Sequence, residues 1–342
     1  MKKSIFTLIL TVIGIWTLAQ TGGTSTYRFL NLSNSARIAA MGSNFSPIKD
    51  NDITLSVANP SLITPEMNNQ LALSYVDYYT DINYGFASYS RTFEKAGSFV
   101  GSMQYINYGE SIEMNEQGDE LGTFTGSEMA LTMGWGRELD SLFTIGANLK
   151  LLSSFLHTYS SYGLAVDVAA TYHNPEKMFS ASLIFRNIGR QIKTYQPGNS
   201  EALPFEIQLG LSKRLKHLPF RWSLLFTDLQ DPDLTYENPT ATGQPNPFTG
   251  EVEEDENGIG DKIMRHVVVG GEFMPTENFS VRFGYNYRRR QEMKLNSKLG
   301  TIGFSWGIGF RVSKFHFSYS RSAYHLVGSP NYITITTNLS DF

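Results

Sequence analysis

The chain of 342 residues contains no cysteine. That absence excludes a disulfide framework, a thiol nucleophile and a thiolate metal site. Beyond its first twenty residues it has no apolar run approaching the roughly 20 residues that a membrane-spanning helix needs. The formal charge of −4 gives no basic excess for a nucleic-acid partner. The six histidines fall into no H-E-x-x-H or related ligand spacing, so no metal and no cofactor is expected. Aromatic residues, by contrast, are plentiful, with 18 Tyr and 23 Phe.

The N-terminus has the composition of an export signal. Lys2 and Lys3 precede the apolar stretch Ile5–Leu18, and Thr17-Leu18-Ala19 offers a small-residue cleavage site. Residues 1–19 are read as a signal peptide, too short in its apolar part to span a bilayer.

From residue 70 onward apolar and polar residues alternate. Val281-Arg282-Phe283-Gly284-Tyr285-Asn286-Tyr287 is one such stretch, and Ile302 to Val312 is another. A period of two specifies strand. Fourteen candidate strands run between Leu71 and Leu339, most of them the 9–11 residues that a tilted membrane strand needs. The connections sort by parity. Those after even strands, such as Glu94–Gly97 and Pro275–Glu277, are tight and polar. Those after odd strands include Tyr108–Gly126, Ile188–Leu203, Leu229–Ile263 and Arg289–Leu299. Short turns at one end and long loops at the other characterise membrane barrels.

The expected fold is therefore an all-β membrane protein. A 14-stranded antiparallel outer-membrane β-barrel occupies residues 70–342, and a short, partly helical N-terminal plug occupies 20–69. Phase directs Leu131, Trp135, Phe143, Leu164, Trp222 and Phe304 to lipid. It directs Gln104, Lys150, Asp167, Arg186, Glu206, Gln208, Arg221, Glu272, Arg282, Asn286, Arg311 and His316 to the lumen. Inward glycines such as Gly146, Gly163, Gly284, Gly303, Gly307 and Gly309 imply that other backbone fills the barrel. The non-alternating stretch Tyr27–Asn69 is the candidate filler, with a capped short helix ending at Gly42 and a turn at Asn59-Pro60.

Ser35-Ala36-Arg37-Ile38-Ala39-Ala40-Met41-Gly42, Asp50-Asn51-Asp52 and Asn59-Pro60-Ser61-Leu62 resemble the N-terminal hatch of barrels similar to the long-chain fatty acid transporter FadL, although the last motif usually reads Asn-Pro-Ala. Within that superfamily, the spacing and the opening Tyr27-Arg28-Phe29-Leu30-Asn31-Leu32 resemble the PorQ family of the type IX secretion system, relatives of PorV. The resemblance implies fourteen strands, a hatch carrying Arg37, Gly42, Asn59 and Pro60, and no catalysis. It further implies a component of a cell-surface attachment complex, partnered by the surface protein PorZ and other members of the complex. The alternative it leaves open is a FadL-like channel for hydrophobic solutes, which requires an apolar pocket beneath the loops and a gap or kink in the wall. The polar lumen set weighs against that alternative.

Two loops carry the remaining chemistry. Asp231, Asp233, Glu237, Glu251, Glu253, Glu254, Asp255, Glu256 and Asp261 are nine acids in a stretch without Lys, Arg or His, so the −4 total leaves +5 on the rest of the chain. This loop is the candidate partner surface, against the bland reading of a solvated acidic loop. Calcium at Asp255, Asn257 and Asp261 is a third possibility that lacks EF-hand spacing. The next loop carries Arg288, Arg289, Arg290, Lys294 and Lys298, expected either to clamp lipid headgroups of the outer membrane or to pair with the acidic loop. Gly303-Phe304-Ser305-Trp306-Gly307 matches the nucleophile-elbow pattern, but alternation runs straight through it, so no strand-to-helix turn is expected. A barrel esterase would need Ser305 and His316 together. Ser46-Pro47-Ile48-Lys49 is read as loop because its companion motifs are absent.

Overall fold

The computed structural model describes residues 25–44, 46–235, 258–293, 300–324 and 328–342. The signal peptide lies outside them. Fourteen strands close into one antiparallel barrel. In chain order they are β1 (Gln70–Tyr79), β2 (Ile82–Phe93), β3 (Gly97–Met114), β4 (Glu120–Glu138), β5 (Phe143–Leu156), β6 (Tyr159–Asn174) and β7 (Phe179–Lys193). β8 (Glu206–Arg214), β9 (Phe220–Phe226), β10 (Val267–Thr276), β11 (Phe279–Asn286), β12 (Phe304–Val312), β13 (Phe315–Ser322) and β14 (Asn331–Asn338) complete the wall. Closure comes from β1 against β14, in register from Gln70↔Asn338 to Asp77↔Asn331. No helix among the described residues is long and apolar enough to cross a membrane.

The strands form because a lipid-facing and a filled side make opposite demands on alternate residues. On β6, Ser161, Ala165, Asp167 and Thr171 are buried, while Tyr162 and Val168 are exposed. On β12, Ser305 is buried between Phe304 and Trp306, which are 54% and 50% exposed. Of the twelve residues expected inward, Gln104, Lys150, Asp167, Arg186, Glu206, Gln208, Glu272 and Arg282 are buried, Arg221, Asn286 and His316 are half-buried, and Arg311 is exposed near the end of β12. The outward residues form the apolar belt of a membrane barrel.

The strands match the expected ones in number and order, but some loops are shorter than expected. Most of Tyr108–Gly126 is ladder: β3 and β4 continue to Met114↔Glu120. Asn115 Oδ1 closes the tip by accepting from the Gln117 and Asp119 amides. Beyond the lipid, a two-stranded ribbon no longer needs an apolar outer face, so alternation fades while pairing persists. Similarly, β7 runs on to Lys193, paired only with β6 past Arg186. At the C-terminus, Leu339–Asp341 turns as a 3-10 helix. That turn breaks the strand phase and brings the Phe342 ring to 5.8 Å from Phe315, with the Lys314 ammonium 4.2 Å from its centre.

Residues 25–69 run through the lumen from the long-loop end to the short-turn end. The head is tied at the loop end, where the Thr26 amide donates to Ala202 O at 2.9 Å. Helix α1 (Ala36–Ala40) is N-capped by Ser35, whose hydroxyl accepts from the Ile38 amide. It stops at Gly42, in the left-handed region with φ 81°. Helix α2 (Ile53–Ala58) is capped by Asp52, which accepts from the Thr54 amide. Asn59 then caps a 3-10 turn over Pro60–Leu62. The Ser61 hydroxyl donates to Asn59 Oδ1 at 2.7 Å and lies 2.6 Å from Thr171 Oγ1 on β6, so the departure from Asn-Pro-Ala adds a bond to the wall.

Wall glycines make room for this passage. A Cβ on Gly146 would fall 2.3 Å from the Pro60 carbonyl carbon, and one on Gly284 would fall 2.2 Å from that of Met41. Gly163 faces the Tyr27 ring and Gly307 the Ala40 methyl. Gly303 differs from the expectation: it sits at φ 88° before β12, and its neighbours are Asn286 O and Arg290 rather than the plug. Gly309 faces Arg282 instead. Two outcomes are expected. Gly146→Val collides with plug backbone and costs about 1–3 kcal/mol, read as a lower unfolding midpoint together with faster proteolysis within residues 25–69. Ser61→Ala costs only about 0.5–1.5 kcal/mol and leaves proteolysis of the barrel strands unchanged.

Candidate functional site

The lumen has three layers. At the loop end lies an apolar compartment. Val76, Tyr84, Ile106, Ala130, Leu152, Ala165 and Tyr332, one from each of β1–β6 and β14, surround Tyr27, Phe29 and Leu30 at the head of the plug, with Leu203 closing one side. The plug's polar atoms find partners there. The Tyr27 hydroxyl is 2.5 Å from Ser161 Oγ, Gln104 Nε2 donates to Phe29 O at 2.8 Å, and Arg186 Nη2 donates to Leu30 O at 3.0 Å. Tyr84 donates to Ser33 O at 3.2 Å. An apolar space beneath the loops therefore exists, held by the chain's own aromatic head. Except for Glu128, which is buried in register with Ile106, the inward charges lie in lower layers, which phase alone could not reveal.

The middle layer is polar and mostly self-paired. Lys150 Nζ is 2.7 Å from Asp167 Oδ2 and donates to Asn187 Oδ1 at 2.8 Å. Asp167 also accepts from Asn148 and from the Asn187 amide. A bulge puts Asn187 here: it adopts φ 56° where the β6–β7 register shifts between Val166 and Val168. Arg186 and Glu206 are 3.6 Å apart, and Arg186 also lines a small partly open cavity of about 30 Å3.

The third layer, toward the short-turn end, is an ion cluster joining plug to wall. Arg37 binds Asp50 at 2.6 Å, Asp52 at 2.9 Å and Glu272 at 2.9 Å. Arg221 binds Asp50 at 2.7 Å and Glu272 at 3.0 Å, and Arg282 binds Glu272 at 2.7 Å. Three guanidiniums and three carboxylates thus compensate one another. Burial alone would raise the Asp50 carboxyl, but Arg37 and Arg221 more than offset it and hold it below its ordinary 3.8. Of the four plug positions singled out from the sequence, Arg37 anchors this cluster, Gly42 ends α1, and Asn59 and Pro60 form the turn against Gly146.

The loop residues separate. Glu237, Glu251, Glu253, Glu254, Asp255 and Glu256 lie outside the described residues, as do Asn257, Lys294 and Lys298. Asp231 is half-buried and accepts from the amide of Asp233 at 3.4 Å, and the Asp233 carboxylate accepts from Lys262 at 2.7 Å. The hydrogen bond from Lys262, and then those from Thr235, hold the Asp233 carboxyl well below its usual range. Asp261 sits in helix α3 (Ile259–Arg265), 2.6 Å from Arg265 and accepting from Tyr287 at 2.7 Å. Tyr287 opens helix α4 (Tyr287–Met293). Arg288 bridges Asp228 at 2.8 Å and Glu292 at 2.6 Å, Arg289 stacks 3.8 Å over the Tyr324 ring, and Arg290 donates to Gly300 O at 2.6 Å. The acidic and basic loops are thus joined to each other at Asp261–Tyr287, and the three described arginines are engaged within the protein.

Ser305 and His316 are not brought together. Ser305 pairs with Ser322 and His316 with Arg311, six register steps away, or about 20 Å at 3.3 Å per residue. Ser46 is buried, and Lys49 reaches Glu138 at 2.8 Å instead. Among the described residues no group of three or more His, Asp or Glu is placed to hold a metal ion. One buried group missed by the sequence reading is Glu128, which accepts from the Tyr108 hydroxyl. Its inward phase on β4 was the available signal.

No family model matches the sequence, and no curated protein matches it. Solved structures do. The Pseudomonas putida toluene transporter TodX is similar over 90% of this chain and 99% of its own, with a TM-score of 0.53 at 10% identity. The monoaromatic hydrocarbon channel CymD is similar over 90% of this chain and 98% of its own, with a TM-score of 0.51 at 10% identity. At this identity the likeness establishes the shared fourteen-stranded outer-membrane barrel fold. It also corrects the reading of the chain as an attachment component of the type IX secretion system with a PorZ-like partner: the structural likeness lies with hydrocarbon channels. The hatch motifs that carried that reading describe how the plug is built and do not themselves specify a partner.

The ion cluster yields two expectations. Arg37→Leu leaves Glu272 and Asp50 with fewer partners at a buried site and costs about 3–5 kcal/mol, read as a lower denaturant midpoint in detergent. Because the Asp50 carboxyl is held below 3.8, its contribution is fully present above that pH and is lost only as pH falls through the lower folded value. The protection factors of the α1 amides, corrected for intrinsic exchange, are therefore expected to stay flat from pH 7 to about 5 and to fall only below the ordinary aspartate range.

Proposed function

We propose that this protein is a non-catalytic outer-membrane channel for small hydrophobic solutes, with its long loops at the cell surface and its plug as the gate. The observation that carries the reading is the apolar compartment directly beneath the loops, filled by Tyr27, Phe29 and Leu30. These side chains occupy the space that an apolar solute would take. The barrel's likeness to TodX, a toluene transporter, and CymD, a monoaromatic hydrocarbon channel, supports the same chemistry.

The charge layers fit a gate. The head is held by a few hydrogen bonds, each worth about 1 kcal/mol net, whereas the region below it is held by buried ion pairs that cost far more to break. The head is therefore the part that yields to a competing apolar ligand. Tyr27 and Phe29 present aromatic rings to a ring of aliphatic and tyrosine side chains, a surface suited to uncharged aromatic or aliphatic molecules.

The test is uptake into liposomes carrying the purified barrel. Labelled toluene is expected to enter at least about tenfold faster than into empty liposomes, with a disaccharide excluded. Phe29→Ala with Leu30→Ala, which empties part of the compartment, is expected to raise the toluene rate further. Toluene entry equal to that of empty liposomes for both proteins would overturn the channel.

A further inference from the structure

We infer that the outer wall at β14–β1–β2–β3 carries a binding site for one zwitterionic phospholipid, with an acyl chain in a groove and the headgroup between Asp77 and Arg321. The proposal is independent of what the lumen transports.

The groove has a sequence cause. Across β1, β2 and β3 the outward residues read large–small–large in two successive rows. Tyr75 faces Gly85, which faces Tyr105, and Leu73 faces Ala87, which faces Met103. A small residue between large ones on a pleated surface leaves a trough, and Ile333 on β14 extends its wall. The resulting cavity is about 500 Å3, and its floor is Gly85 and Ala87. Leu73, Tyr75 and Ile333 stand 51%, 53% and 49% exposed around it. In the belt of a membrane barrel this face meets hydrocarbon.

Directly above the trough, on the same outward face, the chemistry changes in one step. The row reads Arg321, Asn331, Asp77, Asn83 and Asn107, each in register with the next on the adjacent strand. Tyr75 donates its hydroxyl to Asn83 Oδ1 at 2.8 Å, and Tyr319 donates to Asn331 Oδ1 at 2.9 Å, which fixes the amides. Arg321 and Asp77 are both exposed, and neither forms an ion pair among the described residues, with each other or with anything else. One strand, β14, lies between them, so they are two strand spacings apart, roughly 10 Å at 4.8 Å per spacing. That spacing suits a headgroup with a phosphate at one end and an ammonium at the other. Arg321 supplies donors for the phosphate and Asp77 a carboxylate for the ammonium. A lipid with an anionic headgroup would satisfy Arg321 and meet repulsion at Asp77. The occupant is therefore an ethanolamine phospholipid.

Native mass spectrometry tests this on the full barrel, purified in mild detergent with equal phosphatidylethanolamine and phosphatidylglycerol. One retained ethanolamine lipid per barrel is expected, favoured about tenfold over glycerol lipid. Ala87→Trp fills the trough from the lipid side and is expected to abolish retention. Leu183→Trp, a control on the far wall, is expected to preserve it. Asp77→Asn is expected to keep the lipid and erase the headgroup preference. Equal retention of both lipids by the native protein would overturn the headgroup assignment. Retention unchanged in Ala87→Trp, or displacement of the lipid by toluene alone, would overturn the site. A barrel that conducts nothing yet keeps its ethanolamine lipid would leave this inference standing and remove only the channel.

Discussion

Everything in this molecule follows from one constraint: a backbone crossing lipid must satisfy its hydrogen bonds within the protein. Strands meet that constraint only by closing on themselves, and here closure depends on β1 meeting β14 over eight register pairs. Closure with fourteen strands then creates a second problem. The ring is wider than its own side chains can fill, so the chain supplies filler, described over residues 25–44 and 46–69. The wall glycines mark where that filler touches. Gly146 and Gly284 lack a Cβ because Pro60 and Met41 backbone occupies the place.

The filler in turn sorts the lumen by polarity. Its charged and polar residues lie near the short turns, where Arg37 and the Asp50–Asp52 pair meet Glu272, Arg221 and Arg282. Its aromatic head lies near the long loops. Burying Glu272 at 1% exposure is tolerable only because three guanidiniums converge on it. The same filler is thus firmly bound at one end and lightly bound at the other.

The barrel itself was legible because lipid outside and filler inside impose opposite demands on neighbouring residues, and that conflict writes a period of two into the chain. Leu131 outward and Lys150 inward follow from phase alone. The path of the filler was not legible, since its contacts join residues far apart in sequence: Ser322 Oγ donates to Ala39 O across 283 positions. Glycines at 146 and 284 did announce that something approaches, though not what. The ribbon beyond Asn107 escaped notice because outside the lipid Glu110 and Glu113 put a charge on each of its faces, so apolar periodicity no longer reports pairing. The function was misread for a different reason: hatch motifs describe how a plug is built, not which solute or partner the finished barrel serves.

The filler passes without a break from Asn69 into β1, the strand that closes the ring, and the Leu339 amide donates to Asn69 O at 2.9 Å at that junction. The cork and the bottle are therefore one continuous thread, knotted at the neck's far side. Because the segment leads directly into the closing strand, it cannot leave the lumen without taking β1 with it. Tied at its head by the Thr26 amide on Ala202 O and at its tail by the chain itself, it is a leash made fast at both ends.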